Sequence, residues 1–217
     1  MHKTLIVTND FPPRPGGIQA FLHNMALRLD PASVVVYAST WKRGREGAEA
    51  TARFDAEQPF TVVRDRTTML LPTPRVTRRA ATLLREHGCT SVWFGAAAPL
   101  ALMAPALRRA SARTLVATTH GHEAGWAQLP AARQLLRRIG EGTDTITYLG
   151  EYTRSRIASA LTQGGRRPAW CNCRPAWTRR PSTPPRAAPR CAPGWAWRTA
   201  RSWSASPGSS RARARTP

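Results

Sequence analysis

Short runs of Val, Ile, Leu and Thr recur through the first 162 residues, and most are followed by a segment whose apolar residues return every three or four positions. The runs Lys3–Thr8, Ser33–Ala38, Phe60–Arg64, Ser91–Phe94, Thr114–Thr118 and Thr145–Tyr148 predict β-strands. They are apolar nearly throughout rather than alternating, the pattern of strands covered on both faces of a parallel sheet. The helical periods at Ile18–Leu29, Arg75–His87, Pro99–Arg109, Ala131–Ile139 and Glu151–Leu161 predict helices between them. Strand and helix in regular alternation specify an α/β domain with a Rossmann-like, doubly wound parallel sheet. Ligands of such sheets bind beyond the carboxyl ends of the strands, so chemistry is expected in the loops that follow them.

From residue 163 the pattern stops. Residues 163–217 contain no Val, Leu, Ile, Met, Phe, Tyr or His, yet hold five of the eight Trp. Without aliphatic residues this segment cannot build a packed core and is expected to be a disordered, Arg/Pro/Trp-rich tail. The division also reinterprets the charge. The whole chain of 217 residues carries a formal +21, which suggests a polyanion as partner. Residues 1–162 hold 21 of the 33 Lys+Arg and all 12 acids, a net +9, whereas the tail contributes +12 from Arg alone. The longest apolar stretch, Val92–Leu107, has 16 residues with two prolines inside it. That is short of the roughly 20 needed to span a bilayer. Met1-His2-Lys3 leads straight into a strand, so no secretory leader is expected, and four scattered cysteines fit a reducing cytoplasm.

Two loops carry the candidate chemistry. After the first strand, Asn9-Asp10-Phe11-Pro12-Pro13-Arg14-Pro15-Gly16-Gly17 runs into the first helix. Paired glycines at a helix N-terminus let a phosphate or sugar approach the backbone closely. They also serve a tight turn with no ligand, and the G-x-G-x-x-G pattern is absent. After the fifth strand comes Thr119-His120-Gly121-His122-Glu123. A histidine there can donate to a substrate hydroxyl or carry a proton, or simply satisfy its neighbours. No further ligands at a familiar spacing accompany it, so no metal site is expected. The turn Trp93-Phe94-Gly95-Ala96-Ala97-Ala98-Pro99 reads as close packing, and the arginines of the Arg75–His87 and Ala131–Ile139 helices read as solvated faces.

Taken together, Val7-Thr8-Asn9-Asp10-Phe11-Pro12-Pro13 with Gly16-Gly17-Ile18-Gln19, Val92 to Leu100, Thr119 to Glu123 with Gly125-Trp126, and Tyr152-Thr153-Arg154-Ser155 resemble the N-terminal domain of family-4 retaining glycosyltransferases of the GT-B fold. In particular they are similar to the actinobacterial enzymes that move mannose from GDP-mannose to phosphatidylinositol mannosides. The resemblance implies that residues 1–162 are the acceptor-side half of a two-domain transferase. It implies that His120 contacts the transferred sugar, with substrate contacts at Gly16, Gly17, Gln19, His122 and Glu123. No cofactor is implied beyond the nucleotide-sugar donor. It further implies a lipid-linked acceptor and a peripheral position on an anionic membrane at the inner face of the cell.

The family needs a second domain around the donor diphosphate, and residues 163–217 do not resemble one. The five missing types Leu, Ile, Val, Met and Phe all have U as the second codon base, which suggests GC-rich DNA read out of register. Shifted by one base, Ala169 to Arg180 can encode Met-Val-Gln-Leu-Pro-Pro-Gly-Val-Asp, and Pro193 to Thr216 can encode a Val-rich strand followed by Ser-Arg-Leu-Val-Pro-Arg-Lys-Gly. The tail is therefore expected to be a frameshift product, and the 217-residue chain to be inactive alone. The competing expectation is a basic protein that binds nucleic acid or an anionic membrane through its Arg-rich tail.

Overall fold

The computed structural model describes residues 2–42, 44–165 and 167–173. They form one seven-stranded sheet, all parallel, in the order β3-β2-β1-β4-β5-β6-β7. In chain order the elements are β1 (Lys3–Thr8), α1 (Gly17–Ala26), β2 (Val34–Ala38), α2 (Arg45–Ala56), β3 (Thr61–Arg64), α3 (Pro74–Glu86), β4 (Cys89–Phe94), α4 (Ala104–Arg109), β5 (Thr114–Thr119), α5 (Glu123–Trp126), α6 (Pro130–Gly142), β6 (Thr145–Tyr148), α7 (Glu151–Thr162) and β7 (Ala169–Asn172).

Alternate residues of each central strand go to opposite faces, as the two-residue repeat of a strand demands. Leu5, Val7, Val35, Tyr37, Val92 and Phe94 join the apolar faces of α3, α4, α6 and α7 in the larger core. Ile6, Val34, Val36 and Ala38 face the other way and pack with Phe11, Ala26, Phe60 and the partly buried Phe54. Both faces are covered, and this is why the strand sequences are apolar runs.

Three segments differ from the sequence expectation. The structure adds α2, whose inward positions include Gly47 and Thr51, so it carries almost no apolar period. The stretch expected as one helix from Pro99 splits into a 3-10 turn at Leu100–Met103 and α4, because Pro105 occupies the first turn of a new helix, where its missing N–H costs nothing. The sheet also continues past residue 162, the expected end of the domain. β7 pairs with β6 from Thr145↔Ala169 to Tyr148↔Asn172. An edge strand needs little aliphatic side chain: Cys171 and Cys173 are buried, and the Trp170 ring meets the Tyr148 ring at 6.0 Å. The rest of the expected tail, from residue 174, lies outside the described residues.

The loops at the carboxyl end are braced by polar groups. Asp65, just past β3, is buried and accepts from Tyr37 Oη at 2.5 Å, from Thr67 N and Oγ1 at 2.9 and 2.7 Å, and from Arg75 through two nitrogens at 2.9 and 2.8 Å. Burial alone would raise its carboxyl, but the bonds from Arg75, Tyr37 and Thr67 outweigh that and hold it well below the usual carboxylate range. Burial, followed by the bond to Asp65, pushes the Tyr37 phenol up.

A carboxyl held low in the folded state adds stability above its unfolded value and loses it as pH falls. Asp65→Asn is expected to cost about 2 kcal/mol at pH 7, mainly by misfitting the buried Tyr37 hydroxyl. It should also flatten the stability loss below about pH 4. Urea unfolding of both proteins at pH 7 and near pH 3 checks this; equal pH dependence would contradict it.

Candidate functional site

The strand order reverses between β1 and β4: β2 and β3 lie on one side of β1, and β4 to β7 lie on the other. The loops after β1 and β4 therefore diverge and open a crevice at the carboxyl edge, the usual ligand position in such sheets. His120 follows β5, the next strand over.

The loop after β1 is fixed from several directions. Asn9 exchanges two bonds with the backbone of Leu70, Nδ2 to O at 3.0 Å and Leu70 N to Oδ1 at 2.5 Å. The Arg64 guanidinium donates to Pro12 O, to Ser39 O at 3.1 Å and to the Asp55 carboxylate at 2.7 Å, and it lies over the Phe11 ring. Phe11 is buried edge-on against His23, Phe54 and Phe60. The loop then delivers Gly16 and Gly17, both exposed, to the start of α1, which no side chain caps. Its first-turn amides are thus left to solvent or a ligand. Gly16 has φ +153°, and a Cβ there would stand 2.1 Å from Gln19 Oε1, whereas a Cβ on Gly17 would meet nothing within 4 Å. Gln19 is buried beneath this turn and donates from Nε2 to Asp10 Oδ1 at 2.9 Å.

Across the crevice, His120 Nε2 lies 2.7 Å from Gly95 O, and its ring meets Phe21 of α1 edge-on at 5.8 Å. A carbonyl only accepts, so Nε2 carries the proton in this contact and Nδ1 of the neutral ring is left as the acceptor. Burial lowers the imidazole's pKa; the Gly95 bond and the Glu123 charge act against that without reversing it. His120 is accordingly neutral at physiological pH, suited to accept from a sugar hydroxyl through Nδ1. His122 is partly exposed, its Nε2 3.4 Å from Ala98 O and 3.3 Å from Glu123 Oε1. Glu123 is fully buried, and its Oε2 accepts from the backbone N–H groups of His120 and Gly121 at 3.2 and 3.1 Å.

The structure thus brings His120, His122, Gly16 and Gly17 to one edge of the sheet, with Gln19 and Glu123 buried under them and engaged within the protein. Sequence reasoning did not single out Phe21 and assigned Gly95 no contact in the site. Gly95 was legible only as close packing: a Cβ there would come 2.7 Å from Leu22 Cδ1 and from Thr8 Oγ1. Its carbonyl's role depends on β4 lying beside β5. Among the described residues no group of three His, Cys, Asp or Glu is placed to hold a metal ion, and no helix is long and apolar enough to cross a membrane. Several arginines of the basic helices are paired, Arg75 with Asp65 and Arg137 with Glu141 at 3.1 Å.

Gly16→Ala is expected to destabilise the domain by about 1–2 kcal/mol through its φ and its clash with Gln19, while Gly17→Ala stays within about 0.5 kcal/mol of wild type. Thermal unfolding of the two variants measures the difference, and equal losses would contradict it.

Residues 15–173 match the profile of Glycosyltransferase Family 4. The chain is 52% identical over 158 residues to the GDP-mannose-dependent alpha-(1-6)-phosphatidylinositol monomannoside mannosyltransferase of Mycolicibacterium smegmatis, a match covering 72% of this chain and 40% of that protein. It is 50% identical over 164 residues to the protein of the same description from Mycobacterium tuberculosis, covering 74% and 42%. It is 48% identical over 159 residues to the GDP-mannose-dependent monoacylated alpha-(1-6)-phosphatidylinositol monomannoside mannosyltransferase of Corynebacterium glutamicum, covering 73% and 40%. The chain thus spans 40–42% of the length of these relatives. Among solved structures, Anabaena Alr3699/HepE in complex with UDP and glucose superposes with a TM-score of 0.53 at 11% identity, over 77% of this chain and 42% of that one, a likeness of fold.

Proposed function

The chain belongs to glycosyltransferase family 4, and from that premise we propose that it is the acceptor-side half of an enzyme that transfers mannose from GDP-mannose to a phosphatidylinositol mannoside-type lipid. The observation that carries this reading is the convergence of a neutral His120 and the exposed Gly16-Gly17 turn on one crevice, in a sequence about half identical to mannosyltransferases of that description. His120 holds the sugar through its ring, and the amides at the start of α1 take the phosphate or acceptor oxygens. His122, partly exposed beside it, is the second polar contact, while Gln19 and Glu123 serve from beneath. The groups that stabilise the departing diphosphate belong, by family resemblance, to a second domain.

The reading extends to the tail. The absence of residue types with a central U, together with the family-like sequence one base out of register, supports a frameshift near residue 163. Sequencing the coding DNA there is expected to find the base that restores Leu-Pro-Pro-Gly-Val-Asp. The frame-restored protein should transfer radiolabelled mannose from GDP-mannose to phosphatidylinositol monomannoside. The 217-residue chain should not, and His120→Ala in the restored protein should lower kcat by about 100-fold or more. Equal transfer by the 217-residue chain would refute its reading as half an enzyme, and none by the restored protein would refute the assignment of activity.

The lipid acceptor supports a peripheral membrane position. An open groove of about 670 Å³ beside α4 and α6 is lined by Leu102, Leu135, Arg108, Arg109, Arg138 and one acid, Glu141, which is paired with Arg137, and Met69, Leu71 and Leu129 are exposed. Apolar and basic side chains together suit an anionic lipid surface. The protein is expected to sediment with vesicles containing phosphatidylinositol and not with pure phosphatidylcholine; equal sedimentation would count against it.

A further inference from the structure

We propose that Glu123 is a positioning residue that sets the orientation of His120 through two backbone N–H groups. The proposal rests on the reading of His120 as the sugar-holding residue. Glu123 is fully buried, so it cannot itself touch a sugar in this conformation. A carboxylate removed from water is costly unless its oxygens are bonded, and one oxygen here takes both the His120 and Gly121 amides, at 3.2 and 3.1 Å. The second oxygen has no aligned donor; its near neighbour is His122 Nε2 at 3.3 Å, outside hydrogen-bond alignment.

Two consecutive N–H groups drawn inward to one point leave the chain little freedom at that turn. Gly121 takes φ +109° to allow it, and the Cα–Cβ bond of His120 is aimed by the peptides on either side. With that bond fixed, the ring reaches Gly95 O with Nε2 and keeps its edge on Phe21. Without Glu123, the two amides would turn to water and His120 would be tied only by its ring. Glu123 therefore governs which imidazole nitrogen is committed to Gly95 and which is left for a hydroxyl. Charge is not the requirement. A glutamine can present its carbonyl oxygen to both amides, so the conservative variant should preserve the arrangement.

The test uses the 217-residue chain with 15N-labelled histidine and backbone, comparing wild type with Glu123→Gln, Glu123→Asp and Glu123→Ala. In wild type and Glu123→Gln, His120 is expected as the Nε2–H tautomer with slow exchange at the amides of residues 120 and 121. In Glu123→Ala, and in Glu123→Asp with its carboxylate one methylene short, those two amides should exchange at least about tenfold faster while β4 and β5 remain protected. The His120 nitrogen shifts should then report a mixture of tautomers. Should Glu123→Ala not fold, Glu123→Asp and Glu123→Gln carry the comparison. The proposal is overturned if the shortened variants leave the tautomer and the two amides unchanged, if exchange rises alike across the sheet, or if Glu123→Gln behaves like Glu123→Ala. None of these readouts requires mannose transfer, so a failure here leaves the enzymatic assignment standing, and a failure of that assignment leaves the His120 geometry measurable.

Discussion

The peptide at Gly95 joins three parts of the domain that are far apart in sequence. Its N–H donates to Val7 O of β1 at 2.9 Å and its carbonyl accepts from His120, after β5, at 2.7 Å. Its α-carbon lies so close to Thr8 and to Leu22 of α1 that a methyl group would have no room. β1 and β4 are separated by an excursion through two strands and three helices, and their pairing makes the place where the sheet changes direction. A side chain at 95 would push β4 from β1 at its carboxyl end and carry the histidine with it. The crevice thus owes its shape to a residue with no side chain, and its chemistry to that residue's carbonyl.

Around this junction the two sides of the sheet are stiffened differently. On the β2–β3 side the braces are charged or amide groups reaching between loops: Asn9 to Leu70, Arg64 to Pro12, Ser39 and Asp55, and Arg75 to Asp65. On the β5–β6 side they are hydroxyls within the sheet. Trp93 Nε1 donates to Thr118 Oγ1, Thr147 Oγ1 donates to the same oxygen, both at 2.8 Å, and Thr119 Oγ1 reaches Thr147 O at 2.9 Å. Both arrangements fix the carboxyl edge of the sheet before any ligand arrives, the preorganisation on which the proposed transfer depends.

β1 to β6 were legible because buried strands leave apolar runs, whereas β7, which lacks large aliphatic residues, was not; α3 was legible from its helical period over Arg75–His87. α2 was not legible, since a helix that buries Gly47 and Thr51 writes no apolar period. His120 and Gly16-Gly17 could be singled out from their place after strands. What the sequence could not convey was which of their neighbours face a ligand and which stand underneath. Gln19 and Glu123 sit in the same motifs as the exposed residues and differ only in the side of the turn to which they point. Likewise the service of Gly95 to His120, 25 residues away, exists only once β4 and β5 are paired.

β7 bears on the register of the reading frame. Its place beside β6 is held by backbone groups, with Ala169 N donating to Asp144 O and Cys173 N to Tyr148 O, each at 2.8 Å. Such bonds are indifferent to side-chain identity, and a parallel edge strand asks of its residues only that alternate positions be small or apolar. Ala-Trp-Cys-Asn-Cys meets that demand, and so would Met-Val-Gln-Leu-Pro, which codons for the same residues can encode one base out of register. A change of frame in this stretch would therefore leave the backbone pairing of the last strand available. Its consequence would fall after β7, where one frame continues in arginine, proline and tryptophan and the other can encode Pro-Gly-Val-Asp and a run of valines. Among the described residues β7 thus completes this edge of the sheet through backbone pairing, the buried Cys171 and Cys173, and the contact of the Trp170 ring with Tyr148.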